Sequence, residues 1–335
     1  MQSKDEPVVV SSFKKDDGPE PVFVAEGKEA DIEPVILKYD IKKNEEKKGF
    51  YVQMPKVTLT SVALKNMAEE IGKALKNEGM ELRGKDLKLF VSSLTSRLIY
   101  IPKNDAKEYM ECISKYFCGN VFYAKSQNDS AILKCAYSAI TNPLVIHFLL
   151  WDNEKGHPMP EYLIKYISLP SSNVEMMVNE YVNDIYINKI KLPDNIYIVM
   201  TGDLECLDKR LYKKYVIWNP KLKRCEEENQ GFKIISMNSF KNMHKVMDTV
   251  PDNLWSKMST IEEVLNSMNF TLENKDCNSL DDYLVTLYNQ EVLEEDILKY
   301  LCEYRLFPMV KNFIDLNEFK RRLNELGIYK EGREI

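Results

Sequence analysis

Glycine is scarce in this chain, and the 12 glycines among its 335 residues never cluster. A phosphate-binding loop of the form G-x-x-x-x-G-K-[ST] needs its glycines, because backbone N–H groups must wrap closely around the phosphates. The sequence contains no intact copy of that pattern. Conventional nucleotide hydrolysis of the P-loop kind is therefore not expected.

Histidine and paired cysteine are also scarce. The chain has three histidines and seven cysteines, and no two cysteines form a C-x-x-C pair. Such an inventory disfavours a zinc site, and unpaired thiols are typical of a cytoplasmic protein. Neither G-x-S-x-G nor H-E-x-x-H occurs. We expect no bound metal and no catalytic residue of these kinds.

Long apolar runs and an excess of positive charge are missing too. No run approaches the roughly 20 apolar residues that span a bilayer, and the N-terminus lacks the order of a signal peptide. We therefore expect a cytoplasmic protein without membrane contact. The 46 basic and 52 acidic residues give a net charge of −6, which argues against a globally basic nucleic-acid surface.

The sequence does contain the pattern of an α/β domain. Hydrophobic residues make up 44% of it, and the apolar runs Leu144–Trp151 and Asn195–Met200 predict strands that are buried on both faces. Further strands are predicted over Leu87–Ser92 and Val121–Ala124, and helices over Ser61–Asn77, Ala106–Phe117, Ala131–Ile140 and Pro160–Ile167. Alternation of this kind predicts three layers around a mostly parallel sheet.

Composition changes at both ends of this region. Residues 1–50 are rich in charge and carry the β-like runs Pro7–Val10 and Val22–Ala25, which indicate an extended arm or a small accessory sheet. Residues 51–230 form the predicted α/β domain. Residues 231–335 are predicted to be a helical domain with helices over Glu262–Met268, Ser279–Asn289, Glu294–Tyr304 and Leu316–Leu326.

Polar residues stand at the ends of the two buried strands. Asp152 and Asn153 end the first, and Thr201-Gly202-Asp203 ends the second. Around the second strand stand Leu192, Pro193, Asn195, Asp208 and Lys213-Lys214-Tyr215. This order resembles the AAA+ module of the McrB/MoxR group, and the segment Ile297–Met309 is similar to the lid of that family. The resemblance spans about residues 60–326.

The resemblance implies a P-loop/AAA+-like fold with a C-terminal helical lid, and an oligomer formed with itself or with other AAA+-type or other protein subunits. Departures from the family pattern imply lost catalysis. The loop expected after the strand Leu87–Ser92 reads SSLTSRLIYIPK (residues 92–103) and has no glycine. Asn153 stands where a glutamate would activate water. The chain is thus interpreted as a pseudo-ATPase that requires no cofactor.

Four residues are the candidates for any residual ATP or GTP binding: Arg97, Asp152, Thr201 and Asp203. Asp152 could equally cap a turn, and Thr201-Gly202-Asp203 is also ordinary turn chemistry. His147, within the apolar strand, is interpreted as a core histidine.

A basic stretch without acidic residues runs over 209–224. Its members are Lys209, Arg210, Lys213, Lys214, Lys221, Lys223 and Arg224. Three interpretations stay open: a solvated face, an element that contacts a neighbouring subunit, or a contact with nucleic-acid phosphate.

The leading hypothesis is a catalytically inactive AAA+-like subunit, a scaffold or partner in a nucleic-acid-processing or defence-related complex. Three alternatives remain. The chain could be a nucleic-acid-binding module that uses residues 209–224. It could be an active hydrolase with an unconventional loop that uses Arg97 or Lys103. It could be an assembly protein of a virus or mobile element that grips its neighbour through residues 1–50.

Overall fold

The structure is a computed structural model. It describes residues 36–37, 57–58, 64–102, 106–117, 119–124, 130–154, 157–169, 174–182, 185–232, 235 and 250–330. Two compact units are present, Met1–Thr60 and Ser61–Ile335. In the first unit, β1 (Ile36–Leu37) pairs antiparallel with β2 (Val57–Thr58). The predicted runs Pro7–Val10 and Val22–Ala25 lie outside the described residues, so the arm stays a prediction.

Helices alternate with strands at the start of the second unit, and a run of strands follows. The elements are α1 (Leu64–Lys76), β3 (Met80–Glu81), α2 (Gly84–Ser93), β4 (Leu98–Tyr100), α3 (Ala106–Tyr116), β5 (Val121–Ala124), α4 (Ser130–Thr141), β6 (His147–Asn153), α5 (Glu161–Ser168), β7 (Glu175–Val182), β8 (Ile185–Lys191), β9 (Ile196–Gly202), β10 (Tyr215–Ile217) and β11 (Lys223–Arg224). Two 3-10 turns, Leu204–Cys206 and Lys209–Leu211, connect β9 to β10.

A parallel sheet of five strands in the order β10-β4-β9-β6-β5 organises the unit. Side chains alternate between its faces because the period of a strand is two residues. Ile99, Phe148 and Val199 enter one apolar cluster with α1, α2 and α3. Leu98, Leu149 and Ile198 enter a second cluster with α4 and α5. The predicted fold class, a three-layer α/β fold with a parallel sheet, is confirmed.

Two smaller sheets accompany the main one. Strand β3 pairs antiparallel with β11. Strands β7 and β8 form an antiparallel hairpin whose register shifts between Met177 and Glu180. The hairpin stands between α5 and β9 in the chain, and the sequence pattern did not predict it.

The last third of the unit is helical. Its helices are α6 (Asp252–Ser267), α7 (Asn274–Asn289), α8 (Glu294–Leu301), α9 (Phe307–Val310) and α10 (Leu316–Glu325), and a π turn, Cys302–Leu306, joins α8 to α9. Leu254, Leu284 and Leu301 belong to the same apolar cluster as Phe148 and Val216 of the sheet. The helical region and one face of the sheet therefore share a single core. Among the described helices, none is long and apolar enough to cross a membrane.

The prediction of a strand over Leu87–Ser92 is wrong, because this segment lies within α2. Leu87, Phe90, Val91 and Leu94 are all buried, and their spacing of three, four and seven residues is that of one helix face. The strand that lies between α2 and α3 is β4, about ten residues further along the chain.

Gly119 marks the point where the chain passes from α3 to β5. Its N–H donates to Ser114 O at 3.0 Å. A Cβ atom at this position would lie 1.7 Å from the carbonyl oxygen of Ile146. Glycine is therefore required here by the close approach of two backbones, which precedes the pairing of β5 with β6.

Candidate functional site at the carboxyl edge of the sheet

The two strands that end in polar residues are neighbours. Strands β6 and β9 pair in parallel over their full lengths, with Asp152 opposite Thr201 and Asn153 opposite Gly202. Because the carboxyl ends of parallel strands meet at one edge, three of the four predicted nucleotide-site residues, Asp152, Thr201 and Asp203, come together. Open α/β sheets bind ligands at that edge, so it is the candidate site.

Gly202 allows the two strand ends to approach closely. Its φ is +83°, and a Cβ atom there would lie 2.6 Å from Asn153 O and 3.1 Å from Asp152 Oδ1. The backbone N–H of Asp203 donates to Asn153 O at 2.9 Å. A side chain at position 202 would therefore displace the residues on which the site depends.

Asn153 has a structural role in the same turn. Only 2% of the residue is exposed, and its Nδ2 donates to Asp203 O at 2.6 Å. Its amide is thus fixed between the ends of β6 and β9. An amide is also not a base at neutral pH, so Asn153 cannot activate water as a glutamate would.

Asp203 stabilises the turn that follows β9. One carboxylate oxygen, Oδ1, accepts the backbone N–H of Glu205 at 2.8 Å, and Oδ2 accepts the thiol of Cys206 at 3.4 Å. This is the capping chemistry of a short helical turn. It agrees with the turn interpretation of Thr201-Gly202-Asp203 and does not test a role in sensing phosphate.

Strand β4 reaches the same edge beside β9. The N–H of Ile101 donates to Met200 O at 2.9 Å, and the hydroxyl of Tyr100 donates to Gly202 O at 3.1 Å. The next helix, α3, begins at Ala106. The strand-loop-helix unit expected of a P-loop fold is therefore β4, residues 101–105 and α3. The segment 92–103, where the loop was predicted, is out of register with it.

Arg97, the fourth predicted residue, lies at the opposite edge. It precedes β4, and its Nη2 donates to Asp194 Oδ1 at 3.0 Å while Nη1 donates to Tyr166 O at 3.0 Å. Its guanidinium also stacks over the Tyr166 ring, 4.7 Å from the centroid. The structure therefore does not bring Arg97 to the candidate site. The wrong strand over Leu87–Ser92 is the reason, because it placed Arg97 after a strand and not before one.

Arg210 of the basic stretch forms a compact ion-pair group on the surface. Its guanidinium donates to both carboxylate oxygens of Glu161 at 2.8 Å and to Asp208 Oδ1 and Oδ2 at 2.9 and 2.8 Å. These hydrogen bonds lower the pKa of Glu161 and of Asp208 and raise the pKa of Arg210. The group fastens the second 3-10 turn to the start of α5.

Lys213 and Lys214 turn inward, toward the helical region. Their Nζ atoms lie 3.3 and 3.5 Å from the two carboxylate oxygens of Asp276, whose side chain is fully buried. Burial lowers the pKa of Lys214 although Asp276 opposes that shift. These two lysines precede β10 and lie at the amino edge of the sheet. Their side chains are only 21% and 18% exposed, and both cations already have Asp276 as a partner.

The other basic residues of the stretch lie on the surface. Arg224 pairs with Glu108 of α3, and Lys209, Lys221 and Lys223 are exposed. Three of the seven predicted cations, all lysines, therefore face solvent. An inter-subunit or nucleic-acid contact by this stretch stays a prediction.

Asp276 and Arg305 are two buried charged residues that sequence reasoning missed. Both are buried, at 0% and 2% exposure. Asp276 stands in the first turn of α7, where an acidic residue is ordinary. The available signal was Arg305 itself, an arginine between Tyr304 and the apolar run Leu306–Val310, because arginine is rarely enclosed unless it is paired. Across the part of the chain that the structure describes, no group of three or more histidine, cysteine or acidic residues could hold a metal ion.

No protein-family model matches the sequence, and no curated protein matches it. One solved structure with a similar backbone comes from Cytophaga hutchinsonii ATCC 33406 and is described as a "putative ATPase". It is 10% identical, the match covers 78% of this chain and 93% of that chain, and the TM-score is 0.43. A likeness this distant supports no conclusion about activity. The fold class rests on the strand order and the layers described above.

Proposed function

We propose that this chain is a non-hydrolysing AAA+-like subunit that acts as a scaffold or partner in an oligomeric complex. The observation that carries the proposal is the connection from β4 to α3. Residues 101–108 read Ile-Pro-Lys-Asn-Asp-Ala-Lys-Glu, and they occupy the eight positions that G-x-x-x-x-G-K-[ST] would occupy between a central strand and the helix after it.

Three of the four defining positions differ in ways that oppose phosphate binding. Ile101 and Ala106 replace the two glycines, and both are fully buried. Pro102 has no N–H to donate to a phosphate. Glu108 replaces the serine or threonine that would hold Mg²⁺, and its carboxylate pairs with Arg224.

Lys107 matches the remaining defining position, which is the lysine of G-x-x-x-x-G-K-[ST]. Its Nζ lies over the ring of Tyr123, 4.7 Å from the centroid, so the cation has an aromatic partner of its own on β5. This residue, and not Arg97, is the one cation that the register of β4 and α3 aligns with a P-loop lysine. It is the residue to test for any remaining affinity for ATP or GTP.

Turnover and binding test the proposal together. We expect no hydrolysis of ATP or GTP above that of an Asp152→Asn/Lys107→Met double variant. A ligand at about 100 times its Kd stabilises the folded state by about 2.7 kcal/mol, so thermal melting with Mg²⁺ and nucleotide reports binding separately. Mg²⁺-dependent turnover that disappears in the double variant would overturn the proposal.

Assembly is the second half of the proposal. Light scattering after size exclusion, with and without nucleotide, should give the same oligomer, because no part of the proposed scaffold role depends on phosphate. A chain that remains a monomer alone and with candidate AAA+-type subunits would contradict the scaffold role while leaving the loss of catalysis intact.

A further inference from the structure

Arg305 joins the helical region to the sheet. It stands in the π turn between α8 and α9, and its Nη1 donates to Tyr215 O on β10 at 2.7 Å. Its Nη2 donates to Lys213 O at 3.1 Å and to Ser279 Oγ of α7 at 2.8 Å. One guanidinium therefore contacts β10, the turn before it and α7 at the same time.

Asp276 is the negatively charged residue of the same group. The helical region supplies Asp276 and Arg305, and the sheet supplies Lys213 and Lys214, which contact the Asp276 carboxylate. Lys213 also lies 4.8 Å from the ring centroid of Phe270, which offers its face to the cation. We name these four charged residues the latch.

Burial makes the latch sensitive to partial opening. Desolvation lowers the pKa of Arg305 to about 10, and the nearby Asp276 carboxylate opposes that shift. The Arg305 guanidinium therefore remains charged at neutral pH. If one partner moved away while the other stayed enclosed, an unpaired charge would remain in the core, which is strongly unfavourable.

A second contact holds the far end of α7. Gln290, which follows the last residue of α7 and is 1% exposed, donates from Nε2 to Lys88 O at 3.0 Å and to Ser92 Oγ at 2.8 Å on α2. Helix α7 is thus fixed at its first turn by the latch and at its last by α2. The apolar cluster shared by the sheet and the helical region lies between the two contacts.

We infer that the latch keeps the helical region permanently docked on the sheet, so that the two separate only when the whole unit unfolds. The surface that they form together is then preformed, and no nucleotide is needed to assemble it. This inference goes beyond the loss of catalysis, because it concerns how the fold is held and would stand even if the carboxyl edge bound ATP.

Native-state hydrogen exchange on the full chain, read by mass spectrometry at increasing sub-denaturing urea, tests the inference. The slowest amides of α7 and of β9 should exchange through the same opening, with equal protection and equal urea dependence. Exchange of α7 through a smaller opening that leaves β9 protected would overturn the inference. Added ATP or GTP with Mg²⁺ should leave α7 protection unchanged even if melting shows that the nucleotide binds.

A pair of variants identifies the latch as the cause. Arg305→Met should reduce protection of α7 at least tenfold more than Arg321→Met, whose arginine is exposed and pairs with Glu318 and Glu325. Should Arg305→Met fail to fold, Ser279→Ala removes one of the same hydrogen bonds with little change of volume, and it should lower protection of α7 and β9 together. Equal effects of the 305 and 321 variants would contradict the latch.

Discussion

The two edges of the parallel sheet use charge in opposite ways. At the amino edge, Lys213 and Lys214 contact the buried Asp276 carboxylate, and the buried Arg305 donates to the carbonyl oxygen of Tyr215. At the carboxyl edge, where open α/β sheets bind ligands, Asp203 is exposed and its carboxylate caps a turn. The described cations that contact the helical region therefore lie at the edge opposite the candidate site.

This contrast distinguishes the arrangement of the strands from the chemistry of the loop that connects them. The arrangement of β6 and β9 preserves the geometry of a strand-end site, with Asp152 and Thr201 side by side. At the β4–α3 connection, Ile101 and Pro102 stand where the P-loop pattern has a flexible, donor-rich backbone. Strand arrangement and loop chemistry are therefore separate properties of a fold, and nucleotide binding has to be measured to establish the second.

The largest expected effect is at the amino edge. Asp276→Ala removes the only acidic member of the latch and leaves its cations without a counter-charge. We expect a loss of about 3–5 kcal/mol in the free energy of unfolding, as for one partner removed from a buried ion pair. Urea unfolding measures it, and Asp282→Ala, an exposed carboxylate on the same helix, is the control. A loss below about 1 kcal/mol would mean that the latch contributes little.

The second-largest effect is expected from acid, which should lower the free energy of unfolding through a histidine at the amino edge. His147 opens β6 and is 1% exposed, and burial lowers its pKa from 6.5 to about 4. The unfolded chain therefore binds this proton more readily than the folded one. The contribution of His147 to the free energy of unfolding is therefore fully present above pH 6.5. It declines by about 3 kcal/mol as the pH falls toward 4.

Two histidine variants isolate this contribution. Urea unfolding of His147→Gln between pH 7 and pH 4 should show a smaller decline than the natural chain. His157→Gln, which replaces an exposed histidine, should keep the full decline. Identical pH profiles for the two variants would show that His147 does not cause the decline.

The carboxyl edge should be sensitive to shape more than to charge. Gly202→Ala places a Cβ atom 2.6 Å from Asn153 O in a backbone with φ of +83°. Strain of this kind costs about 1–3 kcal/mol, which thermal unfolding would detect. Gly231→Ala is the control, because nothing lies within 4 Å of its Cβ position. Equal melting temperatures for the two variants would show that the strand ends can separate.

The exposed lysines give the smallest effect on stability. Replacing Lys209, Lys221 and Lys223 by glutamine should change the free energy of unfolding by no more than about 0.5 kcal/mol per site. Fluorescence anisotropy with single-stranded and duplex DNA tests the nucleic-acid alternative on the same variant. Salt-dependent binding that this triple variant abolishes would favour that alternative over a purely scaffolding role.

Much of the fold could be predicted from local patterns. The helices α1, α3 and α4 have the predicted periodicity, and strands β6 and β9 are continuous apolar runs because both of their faces are covered. Their adjacency agrees with the resemblance that the polar residues at their ends carry. In these cases the local pattern and the tertiary environment agree.

The errors arose where a short apolar segment permits two interpretations. Leu87–Ser92 is apolar enough for a buried strand, and only the spacing that includes Leu94 reveals the helix. Strand β4 has three residues, too few for a periodic signal. That one shift displaced the expected loop and moved Arg97 into it. The direction in which Lys213 and Lys214 point depends on Asp276, about 60 residues away in the chain, and no local pattern records it.

The π turn has a consequence for how this chain can change in length. Over Cys302–Leu306 the helix holds one residue more per turn than an α-helix would. Deletion of a single residue there would restore α-helical winding, and the side chains within the turn would then point in other directions. A guanidinium that now faces Tyr215 would face elsewhere. Insertions and deletions should therefore be excluded from this segment even where substitutions of its exposed positions are tolerated.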